Sequence, residues 1–165
     1  MNSKDFKKII LDKLNNALKQ KNFAKTGNSF ISSNNELNYI INVQSSQSSN
    51  INTLKITVNI DIASTILSKL EDTPLPEKHR RHFSERIGSY LNQPQDKWWI
   101  IENTNMANAV AIEIIELINN KIIPELDKLQ TTHDLANLWR QGNSPGLTNF
   151  QRNKYLSLLK SSEIS

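Results

Sequence analysis

The chain has 165 residues, a formal net charge of +4 at pH 7 and a mean hydropathy of −0.52, and this length fits one domain with a single hydrophobic core. Because the sequence contains no cysteine, it excludes disulfides, thiolate metal sites and cysteine nucleophiles. No apolar run approaches the roughly 18 residues of a membrane span, and no signal peptide is recognisable, so we expect a cytoplasmic protein.

The first predicted element is an amphipathic helix over 4–20, with Ser3 as its N-cap. Its apolar residues recur at spacings of three and four. The first 25 residues hold seven Lys against two Asp, and we expect these lysines to lie on the opposite, solvated face. This mild positive excess is weaker than the dense basic clusters of dedicated nucleic-acid binders.

Three strand-like segments follow, over 28–33, 36–44 and 53–62. In the second and third segments every second residue is apolar, which is typical of an antiparallel sheet with one covered face and one face in water. Asn34 and Asn35 tolerate a positive φ and are predicted to form the tight turn of the first hairpin. The Ser-rich segment 45–52 is predicted to be the loop of the second hairpin.

The segment after these strands is harder to assign. A short helix is predicted over 63–70, and Pro74 and Pro76 interrupt regular structure after it. Residues 83–91 fit either a helix or a strand, because their apolar residues match both spacings. A turn over 92–96 then leads to the strand-like segment 97–102, which contains two tryptophans.

The strongest helix prediction covers residues 106–130, where apolar residues occupy a wide sector of the surface. Such a sector indicates contacts on more than one side, and Pro124 predicts a kink or a restart. A short helix over 132–140 follows. The capping-box pair Thr148 and Gln151 predicts a last helix that ends near residue 160.

Six short motifs appear in a fixed order along the chain. They are Phe23-x-Lys25-x-Gly27-x-x-Phe30, Ile41-Asn42-Val43-Gln44, Val58-Asn59-Ile60, Arg86-Ile87-Gly88, Trp98-Trp99 and Ile123-Pro124-x-Leu126. Together they resemble the bacterial family called domain of unknown function 4304, over roughly residues 4–130. The resemblance implies an α+β domain and supplies no catalytic residues. It also favours strand rather than helix for residues 83–91, with the Arg-Ile-Gly segment leading into the Trp pair as a hairpin would.

The predicted fold class is therefore α+β. We expect an antiparallel sheet of about five strands, the N-terminal helix and the long helix on one face of it, and extra C-terminal helices. Residues 1–130 form a single domain in this prediction, and 131–165 form a helical extension packed on the same domain. Four residues are expected to be buried together where the long helix crosses the sheet: Val58, Ile60, Ile114 and Ile118.

Histidines offer the first candidate chemistry. His79 and His82 could share a metal ion with Glu85 if the segment were helical, whereas on a strand the two histidines face opposite ways. The surrounding basic residues favour a solvated basic loop over a metal site. His133, beside a predicted helix start, is interpreted as a surface residue.

Carboxylates offer the second candidate chemistry. Glu113 and Glu116 lie one turn apart on the long helix, where paired carboxylates can serve acid–base work or bind hard cations. They also form its only polar stripe, so we interpret them as a solvated stripe. No pattern identifies a reaction, and we expect a non-enzymatic protein without cofactor or metal.

The water-facing side of the sheet is the candidate binding surface. Its predicted residues are Asn42, Gln44, Lys55, Thr57, Asn59, Asp61, Arg86 and Tyr90, joined by one of Trp98 and Trp99. Amides, a guanidinium and an exposed indole are groups that bind partners. The alternatives are an ordinary solvated sheet face and, for the strand asparagines, hydrogen bonds to neighbouring segments.

We expect this surface to dock another protein, in an immunity-type or regulatory role. The alternative function is binding of an anionic ligand or nucleic acid through a basic patch formed by Arg80, Arg81 and Arg86. We expect no membrane partner, and the sequence leaves the oligomeric state open.

Overall fold

A computed structural model describes residues 1–71 and 81–164. Pro74, Pro76, His79 and Arg80 lie outside the described residues, so the predictions made for them stay predictions. The chain forms an α+β fold with one antiparallel sheet. In the part of the chain that the structure describes, no helix is long and apolar enough to cross a membrane.

The helices and strands follow the predicted order. The strands are β1 (Ala24–Thr26), β2 (Ser29–Ser33), β3 (Leu37–Ser45), β4 (Leu54–Ser64), β5 (Phe83–Arg86) and β6 (Trp99–Ile101). The α-helices are α1 (Ser3–Leu18), α2 (Thr65–Leu70), α3 (Thr104–Leu117), α4 (Ile123–Asp127), α5 (Thr132–Arg140) and α6 (Asn149–Ile164). Short 3₁₀ turns cover Lys19–Lys21 and Ile87–Tyr90. The three-residue strand β1 was not predicted.

The N-cap of the first helix lies one residue earlier than the sequence indicated. Asn2, not Ser3, is the N-cap, and its Oδ1 accepts hydrogen bonds from Lys4 N at 2.9 Å and Asp5 N at 3.2 Å. Asp5 Oδ2 in turn accepts a hydrogen bond from Asn2 N at 2.8 Å. In this reciprocal capping box, the side chains of Asn2 and Asp5 each accept a hydrogen bond from the other's backbone N–H. The hydroxyl of Ser3 is therefore not the cap.

The β2–β3 turn also differs from the prediction. Among the described non-glycine residues only Asn22 has a positive φ, of 65°, so Asn34 and Asn35 do not use the left-handed region. Asn34 instead turns the chain with its side chain, because its Oδ1 accepts hydrogen bonds from Glu36 N at 2.9 Å and Leu37 N at 2.8 Å. An Asn side chain that caps its own turn needs no strained backbone.

The sheet order is β1-β2-β3-β4-β5, and β6 also pairs with β4. Strand β5 pairs with the later part of β4, with Asn59 opposite Arg86, and β6 pairs with its beginning, with Ile56 opposite Trp99. The two strands are therefore two pieces of one edge strand. Between them, residues 87–98 leave the sheet, and we call this segment the excursion. The expected hairpin between them is wrong, and the ambiguous segment 83–91 is half strand and half 3₁₀ turn.

One face of the sheet forms the core. The alternating apolar residues of β3 and β4 are buried, and α1 and α3 contribute to the same cluster. The four residues expected to meet there are indeed buried in it: Val58, Ile60, Ile114 and Ile118. This burial follows from strand alternation meeting helical spacing across one interface.

The long helix is interrupted before Pro124. A π-helical turn over Ile118–Ile122 separates α3 from α4, and Pro124 lies in the first turn of α4. Proline lacks a backbone donor and clashes with the preceding turn, which a widened turn relieves. The predicted restart is confirmed.

The last two helices contact the sheet and α2. Thr132 N donates a hydrogen bond to Glu36 Oε2 at 2.9 Å, and the hydroxyls of Thr132 and Ser64 lie 2.7 Å apart. Thr148 and Gln151 form the predicted capping contacts, since Gln151 N donates to Thr148 Oγ1 at 3.1 Å and Thr148 N to Gln151 Oε1 at 2.9 Å. The Thr132 bonds join α5 to β4 and to the turn before β3, α6 contacts α2, and the Thr148–Gln151 pair caps the start of α6.

Candidate functional site

The polar face of the sheet is the side turned away from α1 and α3, and the strand register brings several predicted residues together on it. Asn42 is opposite Asn59, and Asn59 is opposite Arg86. Because opposite residues in an antiparallel pair project to the same side, these three residues form one row across β3, β4 and β5. Gln44 and Lys55 lie on the same face, nearer the other end of β4.

The amides on this face bond to neighbouring strands. Asn59 Nδ2 donates a hydrogen bond to Gln44 Oε1 at 2.8 Å, and Asn42 Nδ2 donates to Ser29 Oγ at 2.9 Å. Asparagine is depleted in strands, and these cross-strand bonds give a structural reason for both asparagines. The amide row is therefore an ordered, half-buried polar surface.

Four residues form what we call the Trp98 cluster: Lys55, Arg86, Asp96 and Trp98. The Arg86 guanidinium lies 5.2 Å from the centre of the indole ring, and Lys55 Nζ lies 5.5 Å from it. Trp98 Nε1 donates a hydrogen bond to Asp96 Oδ2 at 3.1 Å, and Arg86 Nη1 donates to Asp96 Oδ1 at 2.9 Å. The half-buried indole is thus held in one orientation at the surface, with cations near its ring.

Asp96 links the cluster electrostatically. Hydrogen bonds from the Arg86 guanidinium and the Trp98 indole hold the pKa of the Asp96 carboxyl below its usual value. Both members of the Arg86–Asp96 pair remain substantially exposed, at 43% and 61% of their side chains. Asp96 was not among the predicted site residues, because only the folded excursion brings it beside Arg86.

Part of the predicted wet face is covered. Thr57 is fully buried, and its hydroxyl donates a hydrogen bond to the Lys97 carbonyl at 2.8 Å. Asp61 is buried too, and it accepts hydrogen bonds from Arg81 Nε at 3.2 Å and Ser84 Oγ at 2.5 Å. The end of the excursion and the Arg81 side chain therefore remove these two residues from the open surface.

Two predicted site residues point elsewhere. Trp99 is buried in β6, and its Nε1 donates a hydrogen bond to Glu113 Oε2 at 2.9 Å. Tyr90 was expected on the polar face by strand parity, but the strand ends at Arg86 and the following 3₁₀ turn carries Tyr90 to Glu85 on the other side. Burial, together with the nearby Glu85 carboxylate, raises the pKa of the Tyr90 hydroxyl.

His82 is fully buried rather than part of a solvated basic loop. Its Nδ1 accepts a hydrogen bond from Ser64 N at 2.8 Å, and its Nε2 lies 2.7 Å from Glu71 Oε1. An Nδ1 that accepts from an amide assigns the proton to Nε2, which donates to the carboxylate. The Tyr155 ring packs edge-on against the imidazole, with centroids 5.0 Å apart.

Within residues 1–71 and 81–164, no group of three His, Asp or Glu side chains could hold a metal ion. His82 and Glu85 stand three residues apart, and His79 lies outside the described residues. His133 is exposed, as interpreted from the sequence, and Glu113 and Glu116 form an exposed stripe on α3.

Comparison with known proteins gives one match. The model of a family described as a domain of unknown function, DUF4304, matches residues 14–128. No curated protein and no solved structure matches the chain. The matched region contains the whole polar face and the Trp98 cluster, and it ends just before α5.

Proposed function

The chain belongs to the DUF4304 family, domains of unknown function, and from that premise we propose a non-enzymatic module that docks another protein on the polar face of its sheet. The setting we propose is the cytoplasm of a bacterium. The role is that of an immunity-type or regulatory protein.

One observation carries this proposal, the Trp98 cluster. Tryptophan and arginine contribute disproportionately to binding energy in protein–protein interfaces. Here the indole is already held by Asp96 and flanked by Lys55 and Arg86. A side chain ordered before binding loses less conformational entropy when a partner covers it.

The surroundings of the cluster are suited to an interface. Ile100 is 54% exposed and lies opposite Lys55, beside the cluster. The half-buried amides of Asn42, Gln44 and Asn59 continue the surface across the sheet. An apolar and aromatic centre beside a hydrogen-bonding rim is the common composition of a protein interface.

The anionic-ligand or nucleic-acid alternative receives less support. Of its three arginines, Arg81 pairs with Asp61 and Arg86 pairs with Asp96, while Arg80 lies outside the described residues. Carboxylates beside two of the three guanidinium groups weaken attraction for phosphates, which dominates nucleic-acid affinity.

The test is affinity capture from the source organism with three forms of the chain. Wild type is compared with Trp98→Ala and with Glu116→Ala, a control on the exposed stripe of α3. We expect one protein, recovered in stoichiometric amount, that wild type and the control retain and Trp98→Ala loses. Purified, it should bind Arg86→Ala at least tenfold more weakly, and Arg86→Lys should restore little because an ammonium lacks the planar fork.

Three results would contradict the proposal. They are the absence of any stoichiometric protein partner, a partner that Trp98→Ala retains with full affinity, and nucleic acid as the only captured ligand. For the last, an oligonucleotide titration at about 50 and 200 mM salt identifies phosphate contacts by a steep fall in affinity.

A further inference from the structure

A second surface feature lies on the opposite side of β5 from the Trp98 cluster. It is a cavity of about 170 Å³ between β5, the 3₁₀ turn after it, α4, α5 and the loop before α6. Its walls are largely apolar, formed by Phe83, Leu126, Leu129, Leu138 and Pro145. The exposed side chains of Glu125, Lys128 and Asn143 form its rim toward solvent.

Glu85 is the unexpected residue of this cavity. Strand β5 alternates, with Ser84 and Arg86 on the polar face and Phe83 and Glu85 on the helix side. An inward position at a sheet edge normally carries an apolar residue, because burial of a carboxylate costs free energy unless it is paired. Glu85 therefore places a carboxylate where the strand pattern calls for a hydrophobic side chain.

The Glu85 carboxylate pairs with no cation among the residues described. Tyr90 lines the same cavity beside it. The nearby cation, Lys128, lies 3.0 Å from Glu125 at the rim and compensates that carboxylate instead. Burial raises the pKa of the Glu85 carboxyl, which agrees with a carboxylate that lacks a neighbouring positive charge.

We propose that this cavity binds a small organic cation, a primary ammonium on a short apolar body. The ammonium would meet Glu85 and the Tyr90 oxygen, and the body would pack against Phe83, Leu126 and Leu138. A cavity of about 150 Å³ is known to accept a benzene molecule, so this one holds one ring or a branched chain of similar size. Ammonium binding would supply the charge partner that Glu85 lacks.

The site is independent of the docking surface. Glu85 and Arg86 are neighbours in sequence but project to opposite sides of β5. Four lining residues, Leu129, Leu138, Asn143 and Pro145, lie beyond the residues that the family model matches. The proposed cation site is consequently a property of this chain as a whole, with a wall that its C-terminal region builds.

Calorimetric titration with benzylammonium at pH 8 tests the proposal, with the full chain. We expect saturable binding with a dissociation constant on the order of 1 mM, as for a fragment of this size. Glu85→Gln keeps the shape of the side chain and should weaken binding at least tenfold. Glu116→Gln, a matched control on the exposed stripe of α3 outside this cavity, should change it less than threefold.

A second measurement needs no variant. Benzyl alcohol has the size of benzylammonium without its charge, and wild type should bind it at least tenfold more weakly. Binding of benzylammonium should also weaken as the pH falls and the Glu85 carboxyl takes up a proton. The proposal is overturned if benzylammonium shows no saturable binding up to 10 mM, if Glu85→Gln binds it equally, or if the alcohol binds as well as the cation.

Discussion

Adding one carbon to Gly88 should disturb the excursion that carries Trp98. An ideal Cβ on Gly88 would lie 1.7 Å from the carbonyl oxygen of Gln95 and 2.9 Å from Lys97 N, whereas Cβ atoms essentially never approach other atoms closer than 3.0 Å. The chain at Gln95 must therefore move by about 1.3 Å, the difference between the 1.7 Å separation and the 3.0 Å limit. Gln95 N donates a hydrogen bond to Gly88 O at 3.2 Å, which holds the two arms of the excursion together. We call this pair of residues the neck of the excursion.

The expected cost of Gly88→Ala combines three contributions. Separation of the neck loses a hydrogen bond worth about 1 kcal/mol, and overpacking costs about 1–3 kcal/mol. Gly88 has no positive φ, so alanine regains about 0.4–1 kcal/mol by restricting the unfolded chain. The free energy of unfolding should fall by roughly 1–4 kcal/mol, with steric overlap as the dominant cause.

Urea unfolding followed by circular dichroism measures this loss. Ser89→Ala is the matched control, because Ser89 lies in the same 3₁₀ turn and is exposed; its effect should stay within about 0.5 kcal/mol. The fluorescence of the folded protein should also change, since Lys97 and Trp98 follow the displaced neck. Equal midpoints and equal folded-state spectra for the two variants would refute the reasoning.

Three further predictions follow from the fold. Ile118 is 1% exposed, so Ile118→Ala should lower the free energy of unfolding by about 2–5 kcal/mol, and an unchanged thermal midpoint would contradict its place in the core. Thr131→Ala removes the hydroxyl that accepts a hydrogen bond from Asp134 N, and should cost about 1 kcal/mol in the same assay. Burial raises the pKa of Tyr39 to about 12, so an absorbance titration should show a phenolate step there that Tyr39→Phe lacks. Because this folded-state pKa exceeds the unfolded value of about 10, Tyr39 stabilises the fold below pH 10 and that contribution is lost between pH 10 and 12.

The regular elements could be predicted because their patterns are local. The alternation of β3 and β4 and the helical spacing of α1 and α3 each repeat over many residues, so one exception changes little. Pro124 and the Thr148–Gln151 pair act within a single turn. Each of these signals is contained in the segment that it describes.

The broken edge strand could not be predicted, because its pattern is not local. Whether residues 83–91 continue as a strand depends on which part of β4 is still unpaired, and β6 occupies its beginning. That competition involves residues far apart in sequence. The resemblance of Arg86-Ile87-Gly88 and the Trp pair to a family pattern indicated strand correctly for Phe83–Arg86 and wrongly for Ile87–Tyr90, and it gave no information on the register.

The candidate site was predicted only in part, because some of its residues meet only through contacts distant in sequence. Parity along β3 and β4 correctly grouped Asn42, Gln44 and Asn59 on one face. Parity failed for Tyr90, because the strand ends before it, and it gave no sign of Asp96, which reaches Arg86 only through the excursion. The inward carboxylate of Glu85 was visible in the sequence as a polar residue between Phe83 and Ile87, once the segment is taken as a strand.

Strand β5 has only four residues, yet it supplies a residue to each proposed site. Arg86 reaches the Trp98 cluster on the polar face, and Glu85 reaches the cavity on the helix side. Ser84 N donates a hydrogen bond to the Pro145 carbonyl at 3.0 Å, and a Cβ on Gly146 would lie 2.7 Å from Ser84 Cβ, so the loop before α6 fixes this strand from its free edge. Side-chain changes at Glu85 and Arg86 should therefore act separately, whereas Gly146→Ala should displace the strand and weaken both kinds of binding together. If Gly146→Ala left both affinities unchanged, the loop would have no part in positioning either site.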